Sequence, residues 1–457
     1  MIDYNGKRFI FSKPPKSNHP LRIFIGLMVI LALLFVARAF STGRFTPLFE
    51  PTPTPTRSLN SYTQEGETHF AAGNLEKAIE AYNMALQIEP ENPELWAELA
   101  RIQVYSTSQI TSDNGKKLRL EQALASVEKG LAVAPENSML YAVKAFALDW
   151  YGISAIAGDA WQDSLIAGEQ AAVQALQYDN TNALALAYYA ELLVDQQKWS
   201  QAQQYIEQAV ERDPSLMDVH RVNGYVLEST ANYKQAVEEY KKAIEIMPNL
   251  NFLYISLGAN YRKLANLSVI TSEQNYYFGL ALDAFAAAAR INDQLGVNDP
   301  IPLISIANTY VQQGEFFAAA RNVLKALTFS PNDATVYGQL GVVYYKARNY
   351  EGSILPLKCA VRGCTAVESC TVRNGGEECS ESSAGDIVIE GLPMTINTVI
   401  YYYIYGSVLA GLHQPSNGYC EEAMQVFREI GAEFGSDATI MNIVDEGMAI
   451  CNYYGYQ

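Results

Sequence analysis

The chain has 457 residues, is 49% hydrophobic, and carries 32 Lys and Arg against 49 Asp and Glu, a net charge of −17. The charge is uneven: residues 1–44 hold seven Lys or Arg against Asp3, which leaves −23 on the remainder. A surface that acidic repels nucleic acid and anionic lipid, so no nucleic-acid partner is expected for the bulk of the chain.

Residues 1–20 form a polar, basic tail. From Ile23 to Ala37 the chain is apolar throughout, and with its flanks the run covers residues 21–40, roughly 30 Å as a helix and enough to span a bilayer. Arg22 and Arg38 stand near its ends, where their stems can snorkel to the interface. Because the basic cluster precedes the span, the positive-inside rule places the N-terminus in the cytoplasm and everything after residue 40 across the membrane. A cleaved signal peptide ending near Ala39 is the rival, with the same outcome for the rest of the chain. Residues 41–58 follow, with FTPLFEPTPTPTR at 45–57. Alternating Thr and Pro favour polyproline II, so this is read as a semi-rigid stalk rather than a Pro-rich recognition ligand.

From Leu59 the pattern becomes repetitive. In the stretch Met217 to Pro248, apolar residues at helical spacing form two stripes, separated by Ser229-Thr230-Ala231-Asn232. That predicts two short amphipathic helices joined by a tight turn, with small residues at Gly224, Ala236 and Ala243 where the helices approach. A small residue, then an apolar one, then another small one and a closing Pro recur as Ala78, Tyr82, Ala85, Pro90 and again as Ala202, Ile206, Ala209, Pro214. The same series appears as Ala319, Val323, Ala326, Pro331. Pro214 to Pro248 is 34 residues, while Pro90 to Pro135, Pro135 to Asn180 and Pro248 to Asp293 are each 45, which is 34 plus 11. In the first of these long repeats the extra residues, 106–117, read as a polar loop with an Asn114-Gly115 turn. In the second, residues 149–164 read as helix extensions, and in the third NLSVITSEQNYYF is inserted.

A helix pair of 34 residues repeated in phase resembles the tetratricopeptide repeat family. The resemblance implies an all-α fold: a tetratricopeptide-like α-solenoid, a right-handed superhelix of about eight or nine helix pairs, preceded here by the one transmembrane helix. The repeats are expected over residues 59–360, and a further helical repeat with a cap over 395–457. Residues lining the concave groove in that family lie on the first helix of each pair. By resemblance they include Arg221, Tyr225, Arg262, Asn308 and Tyr345. The clamp by which some members hold a C-terminal carboxylate is missing, since Val222 and Ser256 stand where its Asn is expected, which argues against a cytosolic chaperone adaptor.

Between the two helical regions, residues 361–394 are rich in Ser and Gly and read as a Cys-rich β insertion. With Asn374-Gly375 as a type I′ turn, Cys370 and Cys379 fall opposite one another in a hairpin, at a non-hydrogen-bonded pair where side chains come closest. That predicts a Cys370–Cys379 disulfide. Cys420 would then pair with Cys451 on the last helices, leaving Cys359 with Cys364. An even number of cysteines beyond a membrane-crossing segment suits an oxidising compartment. Zinc is the rival for the first four, but they lack a Cys-x-x-Cys pair, so no metal is expected.

No catalytic constellation stands out. His19, His69, His220 and His413 are far apart, no phosphate loop or nucleophile elbow appears, and scattered acids such as Glu238-Glu239 read as solvated helix faces. Neither enzymatic activity nor a cofactor is expected. The reading is a membrane-anchored extracytoplasmic scaffold, bacterial in appearance, that binds protein partners in its groove. The thirty tyrosines leave open a glycan or surface-polymer receptor, and the 360–395 insertion leaves open an enzyme with a reactive thiol.

Overall fold

In the computed structural model of the chain, residues 20–41, 59–153, 158 and 160–456 are described. Residues 1–19 of the expected basic tail and residues 42–58 of the expected stalk lie outside them, as do 154–157 and 159 of the second insertion. The chain divides into two units, Met1–Ser58 and Leu59–Gln457.

The first unit contributes α1 (Pro20–Ser41). Over Pro20–Arg38 it is long and apolar enough to cross a membrane, about 28 Å at helical rise. The same properties suit a signal sequence.

The regular elements of the second unit, among the described residues, are helices. Eight helix pairs run in order: α2 (Leu59–Ala71) and α3 (Leu75–Ile88), α4 (Pro93–Ser106) and α5 (Asp113–Val133), α6 (Ser138–Ile153) and α7 (Trp161–Tyr178). They continue with α8 (Ala183–Asp195) and α9 (Trp199–Arg212), α10 (Met217–Ser229) and α11 (Tyr233–Ile246), α12 (Asn251–Leu267) and α13 (Thr271–Leu295). The last two are α14 (Ile301–Gln313) with α15 (Phe316–Phe329) and α16 (Ala334–Lys346) with α17 (Tyr350–Arg362). A short α18 (Ala366–Arg373) precedes a ninth pair, α19 (Val399–Gly411) and α20 (Tyr419–Phe434), and α21 (Ala438–Tyr453) packs over its open end.

Local chemistry sets each boundary. Asn92, with Pro93 behind it, and Asn182 cap first helices by accepting backbone N–H groups, as does Asp333. Within a pair, one left-handed residue reverses the chain: Gly73, Gln197, Ala231, Gly314 or Arg348. Helices of a pair meet where an aromatic of the second lies over a glycine of the first. A Cβ added to Gly66 would meet the Tyr82 ring at 2.6 Å, and one on Gly224 would meet Tyr240 at 3.0 Å. Both pairs are sixteen residues apart, whereas Gly258 meets Phe285 twenty-seven residues on, so the eleven extra residues lie between the two packing positions. They lengthen α12 and α13 at the far tip and leave the interface in register.

Two expectations about local structure are corrected. Asn114-Gly115 is not a turn: Ser112 caps α5 by accepting from the Gly115 N–H, so the last residues of the insertion open that helix. More consequentially, the 361–394 insertion holds no β-hairpin. Among the described residues there is no strand, only an antiparallel bridge between Cys364 and Ile389. The segment around Cys370 is α18, started by a reciprocal capping box of Thr365 with Glu368. Asn374-Gly375 ends this helix instead of turning a hairpin. The Gly376 N–H donates to the Thr371 carbonyl and the Gly375 N–H to that of Val372, a Schellman stop with Gly375 at φ +71°.

Three disulfides are present. Cys359–Cys364 ties the last turn of α17 to the residues after it, Cys370–Cys379 ties α18 to the segment after it rather than closing a hairpin, and Cys420–Cys451 joins α20 to α21. The last closes a loop of 31 residues and holds the cap in place. Replacing Cys420 and Cys451 together by Ala should remove roughly 3–4 kcal/mol of unfolded-state restraint. Amide exchange should accelerate in α21 and leave α8 and α9 unchanged, because a solenoid propagates damage only to neighbours. Unaltered exchange in α21 would mean that packing alone secures the cap.

Candidate functional site

The first helices of the early repeats turn their inner faces onto one another. Arg221 of α10 donates from both terminal nitrogens to the two Glu191 oxygens of α8, each at 2.6 Å, and from Nε to the Tyr105 hydroxyl at 3.2 Å. The Trp150 indole donates to Glu191 at 3.1 Å. Asp218 accepts from the hydroxyls of Tyr105 and Tyr188 and from Arg101 at 2.9 Å. Phe252 of α12 stacks on the Tyr105 ring at 5.2 Å between centroids. The turn after α2 closes on the same surface: the Asn249 side chain donates to the Ala71 carbonyl at 2.9 Å. Gly73 is needed there, because a Cβ on it would lie 2.1 Å from the Asn249 carbonyl oxygen. The concave side of the early repeats is therefore a core, filled by the chain itself.

Charge inside this core is not fully balanced. Burial alone would raise the Asp218 carboxyl, but Arg101, the two tyrosine hydroxyls and Arg221 hold it below the usual carboxylate range. Asp149 of α6 is completely buried, and neither of its oxygens finds a donor among the described residues. Burial, and then the neighbouring Asp195 and Glu191, push it well above the ordinary value. Asp195 is pushed up to about 6, burial again leading, although it accepts from the Tyr225 hydroxyl.

The expected groove residues do not form one site. Arg221 is 6% exposed and belongs to the core, so its place on a partner-facing surface is corrected: the curvature of the repeats carries α10 onto α4 and α8. Tyr225 is half-buried against Asp195. Arg262 is half-buried, lies over the Phe285 ring and reaches the Ser305 carbonyl at 3.3 Å. Asn308 is exposed on α14. Tyr345 alone among them lines an open groove. The buried acids Asp149, Glu191 and Asp218 and the half-buried Asp195 are not among the sequence-predicted residues. The signal available for Asp149, Glu191 and Asp195 was an isolated carboxylate or two in an otherwise apolar stretch, one in AFALDW and two in ALAYYAELLVD.

That open groove lies at the C-terminal end, between α16, α19 and α21. It encloses about 530 Å³ and is lined by Tyr345, Ile400, Tyr403, Ser407, Ile443 and Ile450, with Lys346 and Glu446 at its edge. A smaller hollow of about 210 Å³ continues it past Tyr345 and Ser407 to Tyr350 and Leu412. Among the described residues no group of His, Cys, Asp and Glu is arranged to hold a metal ion.

Stacked helix pairs with a filled N-terminal turn and an open C-terminal groove define a helical-repeat protein. Residues 66–104 match the family described as TPR repeat, and residues 189–250 match the tetratricopeptide repeat family. These two stretches carry tetratricopeptide repeats. It is 20% identical over 255 residues to the human mitochondrial import receptor subunit TOM70, covering 53% of this chain and 39% of that one, so it spans about two fifths of its relative's length. The human IFIT1 dimer with m7Gppp-AAAA superposes with a TM-score of 0.54 at 15% identity, covering 87% of this chain and 82% of that one. The same dimer with PPP-AAAA gives 0.51 at 15% identity, covering 88% and 92%. Both likenesses concern the fold alone.

Proposed function

We propose that this protein is a membrane-anchored scaffold that presents its repeats outside the cytoplasm and binds protein partners through the C-terminal end of its concave face. The supporting observation is that the groove between α16, α19 and α21 is open and apolar, whereas the equivalent face of the early repeats is occupied. Residues 1–20 would form the cytoplasmic tail, 21–40 the anchor and 41–58 the stalk. The disulfides support an oxidising compartment. No catalytic role is assigned. A nucleic-acid partner is disfavoured by the acidity of the repeats, and a glycan-stacking role by the burial of tyrosines such as Tyr105, Tyr188 and Tyr337.

Topology is tested by protease added to intact cells. Cleavage should fall within residues 45–57 and release the repeats, while the remainder stays with carbonate-washed membranes. Protection of that stretch overturns the orientation. Partner binding is tested with a photo-crosslinking residue in place of Tyr403, with Ile166 on the exposed side of α7 as the control position. Equal crosslinking from both would remove the groove as the partner site.

A further inference from the structure

We infer that the C-terminal groove takes an amphipathic helical segment whose apolar ridge is flanked by Lys or Arg. The inference rests on the groove being the partner site proposed above and names the chemistry of what fits it.

Three observations carry it. From Gly391 to Cys420 the sequence contains no Asp, Glu, Lys or Arg, so the α19 side of the trough offers no ion partner, and the charged lining residues Lys346 and Glu446 belong to α16 and α21. A charged side chain entering it would be desolvated without compensation, so the inserted ridge must be apolar. The walls supply few hydrogen-bonding groups, chiefly the hydroxyls of Tyr345, Tyr403 and Ser407. An extended peptide would leave its backbone N–H and C=O groups unpaired along Ile400, Ile443 and Ile450, whereas a helix satisfies its own backbone. Thirdly, residues 334–457 carry six Lys or Arg against fourteen Asp or Glu, and Glu446 is exposed on α21 beside the groove. That field attracts basic flanks and repels acidic ones, which acts on association rate and on choice of partner. Lys346, exposed at the end of α16, marks the opposite rim, so the basic flank points toward α21.

The test uses the full chain in nanodiscs of zwitterionic lipid and fluorescence anisotropy with three labelled peptides of about five helical turns. One carries a Leu ridge with Lys and Arg flanks, one the same ridge with Glu flanks, and one the basic composition scrambled. The basic-flanked helix should bind about tenfold tighter than the acidic one, with the ratio shrinking as salt is raised. Tyr403→Glu should weaken it at least tenfold, with Ser407→Asp as the second variant should the first not fold. Glu446→Lys should narrow or reverse the preference. Equal binding of the basic and acidic helices overturns the assigned chemistry and leaves the groove standing, provided Tyr403→Glu still weakens both. Binding of the scrambled peptide as tightly as the ordered one also overturns it. Binding by all three peptides that neither groove variant alters overturns the groove itself.

Discussion

Arg221→Ala should be among the most destabilising single substitutions in this protein, costing on the order of 3–5 kcal/mol. The guanidinium makes a bidentate pair with Glu191, donates to Tyr105, and sits within 6 Å of the Tyr105, Phe146 and Trp150 ring centroids. Its removal leaves the Glu191 carboxylate buried with only the Trp150 N–H for company. Replacing both partners, Arg221→Met with Glu191→Leu, should restore much of the loss, because a buried ion pair exchanged for apolar groups of similar volume is often close to neutral. Thermal melts of the wild type, both single variants and the double variant give the coupling directly. The basic-flanked peptide should still bind the C-terminal groove of Arg221→Ala at a temperature where it remains folded, since the two regions lie several repeats apart. A melt within a few degrees of wild type would mean that Arg221 is free to solvent after all.

The contrast between Arg221 and Tyr345 shows what the sequence discloses. Both stand on first helices, where family resemblance expects a groove, and local pattern cannot separate them. The difference arises from contacts as far apart in sequence as Arg221 and Tyr105, which only the accumulated curvature of several repeats brings together. Repeat period, by contrast, is local information. Gly224 falls where the repeat period places a small residue, and it faces Tyr240; the insertion at 149–164 is legible as about three helical turns, whereas 106–117 reads as a loop although its last residues open α5. In the region 361–394 two local signals compete. Asn374-Gly375 is a hairpin turn between strands but a stop after a helix, and the Thr365–Glu368 capping box decides in favour of the helix. The Cys370–Cys379 bridge is present, yet it ties α18 to the segment beyond its stop and closes no hairpin.

Asp149→Asn should stabilise the protein, increasingly so as pH rises. Asp149 is completely buried beside Asp195, and burial, followed by the charges of Asp195 and Glu191, raises its carboxyl well above the ordinary range. The groups facing the pair are Glu191 of α8 and, from α10, Arg221, committed to Glu191, and Tyr225, whose hydroxyl donates to Asp195. Two carboxylates so placed cannot both ionise cheaply, so the native state keeps a proton on Asp149 and shares it with Asp195. The unfolded chain releases that proton near pH 4. Because the folded value lies above the unfolded one, the contribution of this proton is fully present below about pH 4 and is lost as pH climbs toward the folded value. Asp195, at about 6, adds the same sign over a narrower window. The loss for one fully held proton approaches about 1.4 kcal/mol per pH unit. An asparagine keeps the shape and donates an amide N–H to Asp195 without needing a proton from solution. Melting temperatures taken at intervals from pH 5 to 8 should fall for the wild type and stay nearly level for Asp149→Asn, the two curves diverging upward in pH. Parallel curves, or a variant less stable at every pH, would mean that Asp149 is ionised in the folded protein and that something other than a shared proton compensates its charge.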